Sequence, residues 1–363
     1  MKKKPSEPIS LQSNLNATSK KIKNSSNGCG IAIMSWSDQL VSTLETWNKK
    51  SFVVSPDVDG LICGAMLLEK FPDATCIGSY DSQHILHFDN ATSREIKDAL
   101  WIDLDVIHPD IICVGQHLIH LDRNDLLPRR NAHSFNPNVY FSQDHTGSFK
   151  GSAPGRDKYP FGTVHFLRWA LQIPLPARRS RGWSVLAHAD GSWKTAVDYQ
   201  KNAKIWYHEM LLGDELIQDL LNGYTNDESA LTEHIAFVDE LARIGIKSTS
   251  SASINSNKQN DWSVVRGYQA LPSVAIGKED EWLVKFRDLS TLISTHLGLR
   301  PLAPQNVTGR FSGSVKIKDP TQIARGGFDQ FCESEDVFSH AIVSKKAIRY
   351  TNGLVGRDRP ADS

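Results

Sequence analysis

FVVSPDVDGLICGAMLLEK, residues 52–70, is the stretch that decides the fold. The apolar run Phe52-Val53-Val54 meets a polar turn, Ser55-Pro56-Asp57-Val58-Asp59-Gly60. Apolar residues then return at helical spacing as Leu61, Ile62, Ala65, Met66 and Leu67. The pattern predicts a strand, a turn and a helix. Two aspartates, two positions apart, fall at the C-terminal end of the predicted strand. As carboxylates at a helix start they suit an N-cap. As a closely spaced acidic pair they suit a divalent cation. The stretch alone leaves both readings open.

Outward from this stretch the same alternation continues. A helix is predicted over 37–48 (SDQLVSTLETWN), with Ser37 or Asp38 near its N-cap. Strands are predicted near 51–55, 74–80 (ATCIGSY), 100–104 (LWIDL) and 110–114 (DIICV), and helices over 60–70 and 162–172 (GTVHFLRWALQ). Strands alternating with helices imply an α/β fold with a largely parallel sheet and helices on both faces. Ligands of such sheets bind at the C-terminal strand ends, where the strand order reverses.

The rest of the chain divides by composition. Residues 1–28 are rich in Ser, Asn and Lys and predict a disordered basic tail. Residues 29–195 carry the α/β pattern. Residues 196–260 predict a helical connector ending in the polar linker KSTSSASINSNKQN (247–260). Residues 261–363 predict a smaller α+β domain, with strand-like WSVVRGY, SVAIG, SVKIK and HAIVSK and one helix, EWLVKFRDLSTLISTHLG. The formal net charge is zero, so nucleic-acid binding needs a local basic groove rather than the total. Five cysteines without a CxxC pair imply free thiols in a reducing compartment. Without a membrane span or a secretory signal, the expected location is the cytoplasm.

Side chains able to hold a divalent cation recur in series: Asp57 and Asp59, then Asp103 and Asp105 in WIDLD, His117 and His120 in VGQHLIHLD, and Asp190 in VLAHADG. Each is expected where a predicted strand gives way to a loop. Each also has a plainer reading: a helix cap for Asp57 and Asp59, a strand end for Asp103, a structural imidazole for His117 and a turn for Asp190.

The order of these pieces resembles the DHH phosphoesterases, in particular their RecJ-like branch. That family opens on H/D-x-D-x-D-G between strand and helix, matched by Ser55-Pro56-Asp57-Val58-Asp59-Gly60. Its second motif is an Asp at a strand end, matched by Asp103. Its third is Asp-His-His after the next strand, here Gly115-Gln116-His117. Asn136-Pro137 and Phe161-Gly162-Thr163-Val164 resemble the pieces that follow, and Asp190 matches the fourth motif. The resemblance covers about residues 50–195. It implies Asp57, Asp59, Asp103, His117 and Asp190 as catalytic residues and as ligands of Mn²⁺ or Mg²⁺. It departs from the family at Ser55, Gly115 and Gln116, so one metal position has lost a ligand. Asp105, His120 or Asp144-His145 are the candidates to replace it.

Three functions follow. The first is a divalent-metal phosphodiesterase or exonuclease-like hydrolase acting on single-stranded nucleic acid by metal-activated water. The second is the same chemistry on short oligonucleotides or cyclic dinucleotides. The third is a degenerate module that binds nucleic acid or a partner without catalysis. Basic residues between 120 and 181, including Arg123, Arg129, Arg130, Arg168, Arg178, Arg179 and Arg181, suit a phosphodiester. In the C-terminal part, TGRFSG with Arg310 and RGGF with Arg325 are candidates for holding the substrate phosphate.

Overall fold

Three short apolar runs build one half of the main sheet: β1 (Ser51–Val54), β4 (Leu100–Ile102) and β5 (Ile112–Val114). All are buried on both faces, which is why they read as unbroken apolar triplets. Their side chains alternate. Phe52, Val54, Leu100, Ile102 and Val114 enter one core, and Val53, Trp101 and Cys113 enter the core on the opposite face. The computed structural model describes residues 35–119, 131–141, 158–246, 270–319, 322–323, 327–344 and 347–354. The predicted tail, the 247–260 linker and WSVVRGY lie outside these residues.

In chain order the first half holds α1 (Trp36–Thr46), β1, α2 (Val58–Lys70), β2 (Thr75–Tyr80), β3 (His84–Phe88), α3 (Ser93–Asp98), β4, β5 and α4 (Pro137–Tyr140). Helices follow: α5 (Thr163–Leu171), α6 (Arg181–His188), α7 (Ser192–Asp198), α8 (Gln200–Met210), α9 (Glu215–Leu221), α10 (Glu228–Arg243) and α11 (Glu279–Leu297). The chain ends with β6 (Val307–Ser312), β7 (Ser314–Lys318), α12 (Phe328–Ser334), β8 (Val337–Ser344) and β9 (Ala347–Asn352).

The main sheet has six strands in the order β5-β4-β1-β2-β3-β6. β5, β4, β1 and β2 run parallel. β3 and β6 are antiparallel additions at one end. From β1 the chain crosses through α2 to β2 on one side, while β4 lies on the other. The order therefore reverses between β1 and β4, and the cleft outside their C-terminal ends is where such sheets bind ligands. α2 fills the adjacent core and is buried from Val58 to Leu68. Gly64 lets it lie close to β1, since a Cβ there would stand 3.1 Å from both Phe52 and Val54 side-chain atoms.

The C-terminal part does not stand apart as a domain starting near 261. β6 pairs with β3 in the main sheet, and Trp282, Phe286, Leu289 and Ile293 of α11 lie in the same core as α2. The described residues from Trp36 onward form one unit. What remains of the smaller domain is the sheet β7-β9-β8, with α12 packed on it through Phe328, Phe331 and Cys332. SVAIG, expected as a strand, is irregular, and its Ile276 is exposed. The small sheet is fastened to the main one by Phe338, whose ring packs at 5.6 Å from Tyr80 and 5.7 Å from Trp101. Ile107 N also donates to Phe338 O at 2.6 Å. The four cysteines among the described residues are buried and unbridged. Among the described residues no helix is long and apolar enough to cross a membrane.

If this junction unites the two sheets, Phe338→Ala lowers the unfolding free energy by about 3–5 kcal/mol in one cooperative denaturant transition. A second transition, or an unchanged midpoint, would show that the small sheet unfolds independently.

Candidate functional site

At the end of β1 the chain turns sharply. A Cβ on Gly60 would stand 2.4 Å from the Ser55 carbonyl oxygen, so only glycine closes the turn without displacement. Asp57 sits in extended backbone as the N-cap of α2, and Gly60 N donates to its Oδ1 at 2.8 Å. Ser55 Oγ donates to Asp57 Oδ2 at 2.6 Å. The plain reading of Asp57 as a helix cap is therefore realised.

Asp59 also caps a helix, but a distant one. Thr163 N donates to its Oδ2 at 2.7 Å and Val164 N to its Oδ1 at 2.8 Å. These are first-turn amides of α5, whose own N-cap, Gly162, offers no side chain. A Cβ on Gly162 would lie 2.4 Å from Asp59 Oδ2, so the glycine makes room for the carboxylate.

Asp103 follows β4 directly and adopts left-handed backbone, with φ of +56°. Thr163 Oγ1 donates to its Oδ1 at 2.7 Å, and His117 Nε2 lies 3.4 Å from the same atom. Asp103 Oδ2 is buried; no N–H or hydroxyl among the described residues reaches it, while the Asp57 carboxyl lies within hydrogen-bonding reach of Asp103. Asp190 follows a helix, α6, rather than the strand end expected for it, and is again left-handed, with φ of +50°. The run VLAHA continues a helix capped by Ser180. Gln116, fully buried, donates from Nε2 to Asp190 Oδ2 at 2.5 Å. His117, with 31% of its side chain exposed, stands at the rim.

Asp57, Asp59, Asp103, His117 and Asp190 are thus gathered at the switch between β1 and β4. Burial, then repulsion from Asp103, Asp190 and Asp57, holds the Asp59 carboxyl well above the usual carboxylate range. Asp103 is pushed well up by burial and then by Asp57 and Asp190. Burial raises Asp190, opposed by His117 and Lys158. Next to Asp59, burial also raises the Cys63 thiol.

The donor set has the hard-oxygen chemistry that Mn²⁺ and Mg²⁺ take. Yet among the described residues no three His, Cys, Asp or Glu side chains are already arranged to hold a metal. The hydrogen bonds account for this: Asp57, Asp59 and Asp190 point their oxygens at protein donors.

The remaining expected residues are dispersed. Asp105 lies beside the cluster and accepts from His117 N at 2.8 Å and Asn136 Nδ2 at 2.8 Å. Arg310 on β6 pairs with Glu279 at 3.2 Å. Arg168 pairs with Asp214, Arg178 and Arg179 with Asp219, and Arg181 with Glu233 and Glu240. These arginines are engaged in ion pairs between the helices and loops of residues 163–243 rather than at the acidic cluster. His120, Arg123, Arg129, Arg130, Asp144, His145 and Arg325 lie outside the described residues. Thr163 and Asn138 act in the site although no single-residue signal marked them. Thr163 was within reach of sequence reasoning through FGTV.

No family model matches the chain, and no curated protein or solved structure matches it. The geometry is therefore the ground for any functional reading.

Because Asp103 is pushed up, the folded chain keeps a proton that the unfolded chain releases near the ordinary value of 3.8. Between that pH and the raised folded value the folded state binds more protons, so stability falls as pH rises. Asp103→Asn removes this loss. With chelator present, its melting temperature should exceed the parent's at pH 7, and the gain should shrink towards about pH 4. A melting temperature at or below the parent's at pH 7 would show that the fold favours the ionised carboxylate.

Proposed function

We propose that this chain is a divalent-cation-dependent phosphoester hydrolase of the DHH type, built around one cation rather than two. The observation that carries the reading is the meeting of Asp57, Asp103 and Asp190 at the C-terminal ends of β1 and β4. Three of the four clustered carboxylates are forced towards protonation unless positive charge joins them. Asp57, Asp103 and Asp190 would hold Mn²⁺ or Mg²⁺, with Asp59 retained as the acceptor that fixes α5. When bound, the cation supplies Lewis-acid polarisation of the phosphoryl oxygen and acidifies the attacking water. Gln116 holds Asp190 in place. His117, at the exposed rim and 3.4 Å from Asp103 Oδ1, is placed to donate to the phosphate or to its leaving oxygen. The substrate proposed is nucleic acid with a single-stranded end, a choice that rests on the resemblance to RecJ-like proteins.

A second reading, an inert module that binds nucleic acid or a partner, is favoured by the three positions of departure from the family, Ser55, Gly115 and Gln116. Ser55 and Gln116 both donate hydrogen bonds into the acidic cluster. Neutral donors there replace part of the stabilisation that a cation would supply.

The two readings separate in one experiment. Calorimetric titration with Mn²⁺ should show one site, and Mn²⁺ should support cleavage of an end-labelled single-stranded oligonucleotide. Asp103→Ala should lower turnover on the order of 10²–10⁴-fold, while Asp73→Asn on the surface leaves it unchanged. Absence of both Mn²⁺ binding and cleavage in the parent chain, with Mn²⁺ binding gained in Gln116→His, would establish the inert module instead.

A further inference from the structure

Gly115 stands where the resemblance expects the first Asp of the Asp-His-His triplet, and its surroundings say what replaced it. Asp105 Oδ2 accepts three hydrogen bonds: from His117 N at 2.8 Å, Leu118 N at 3.3 Å and Asn136 Nδ2 at 2.8 Å. An aspartate at position 115 would accept from the same two amides, two and three residues ahead of it, as Asp does in a local Asx turn. Gly115 is not in left-handed backbone, so its conformation admits an L-residue. What chiefly excludes a side chain is Asp105, whose Oδ2 would lie 2.5 Å and Cγ 2.9 Å from a Cβ on residue 115, with the Leu104 carbonyl oxygen a tight but smaller obstacle at 3.0 Å.

We infer that Asp105 is a positioning residue for the Gln116–His117 turn, a carboxylate moved to the neighbouring strand end that does from there what a side chain at 115 would do locally. It works with two asparagines. Asn136 holds the same Asp105 oxygen and accepts from Asn138 N at 2.8 Å. Asn138 Nδ2 donates to Gln116 O at 2.7 Å. The backbone of residues 116–118 is so fixed at three points, and this aims the Gln116 amide at Asp190 and the His117 ring at Asp103. The catalytic consequence rests on the hydrolase reading above; the positioning itself does not.

The test is a swap. Asp105→Gly, Gly115→Asp, the double variant and Asp105→Asn are compared with the parent by amide hydrogen exchange and thermal melting. Asp105→Gly should speed exchange at His117 and Leu118 by at least about tenfold relative to the β1 amides. Gly115→Asp alone, with two side chains in one space, should melt lower than the parent. The double variant should regain both amide protection and melting temperature. Asp105→Asn keeps one acceptor oxygen and should give intermediate protection, which preserves the test should the glycine variant not fold. Unchanged protection at 117 and 118 in the Asp105 variants, or a double variant no better than the worse single one, would overturn the inference.

With Mn²⁺ and a p-nitrophenyl phosphodiester, Asp105→Gly should reduce kcat about tenfold with little change in KM, and the double variant should restore it. Lack of turnover in the parent with the amide pattern intact would defeat the hydrolase reading and leave the positioning role standing. Turnover with amides that ignore Asp105 would do the reverse.

Discussion

Four carboxylates of like charge lie within mutual influence at the mouth of β1 and β4, and the fold around them is shaped by that cost. Burial disfavours the ionised forms of Asp59, Asp103 and Asp190, and the neighbouring carboxylates add to the penalty. Backbone amides at helix starts are the main offset. Asp57 takes one amide of α2, that of Gly60, and Asp59 takes two of α5. Two helix N-termini therefore point their partial positive charge at the cluster. The same contacts fix the approach of the helices, because α5 has no N-cap side chain of its own and is seated by a carboxylate from α2.

The side chains at the positions of departure serve the same end. Ser55 and Gln116 bring neutral donors to Asp57 and Asp190, and Thr163 joins Asp59 to Asp103 by donating its backbone amide to one and its hydroxyl to the other. Glycines mark the points of closest approach: Gly60 at the Ser55 carbonyl, Gly162 at Asp59 and Gly115 at Asp105. In each case a side chain would displace either the turn or a carboxylate. The cluster is tightly held, and this is the property a site needs if its groups are to keep their geometry as charge develops.

Parts of this were legible in the sequence for a physical reason. FVV, LWI and ICV are buried on both faces, so their apolar runs are unbroken, and the Asp residues that end β1 and β4 follow immediately. β3 and β6 were not legible. HILHF has histidines three residues apart, at His84 and His87, which fall on opposite faces of the strand, and VTGRFS carries Gly and Arg, so neither shows an apolar run or clean alternation. Asp190 was placed after a strand because VLAHA is short and apolar, a pattern that strand and helix share. The capping of α5 by Asp59 and the exclusion at Gly115 are contacts between distant residues, and no local pattern encodes them.

Asp103 shows how much of the cluster's cost falls on one residue. It is held in left-handed backbone, a conformation that costs on the order of 1 kcal/mol or more for a residue with a side chain. Its Oδ1 accepts from Thr163, and its buried carboxyl lies against that of Asp57, which raises the cost of ionising either. A carboxylate kept only to terminate a strand would be more stable as Asn or Gly, which tolerate the same backbone without the charge. Left-handed backbone, burial and a neighbouring carboxyl meet on one residue at the point where the strand order reverses, and the Thr163 hydroxyl offsets only part of that cost.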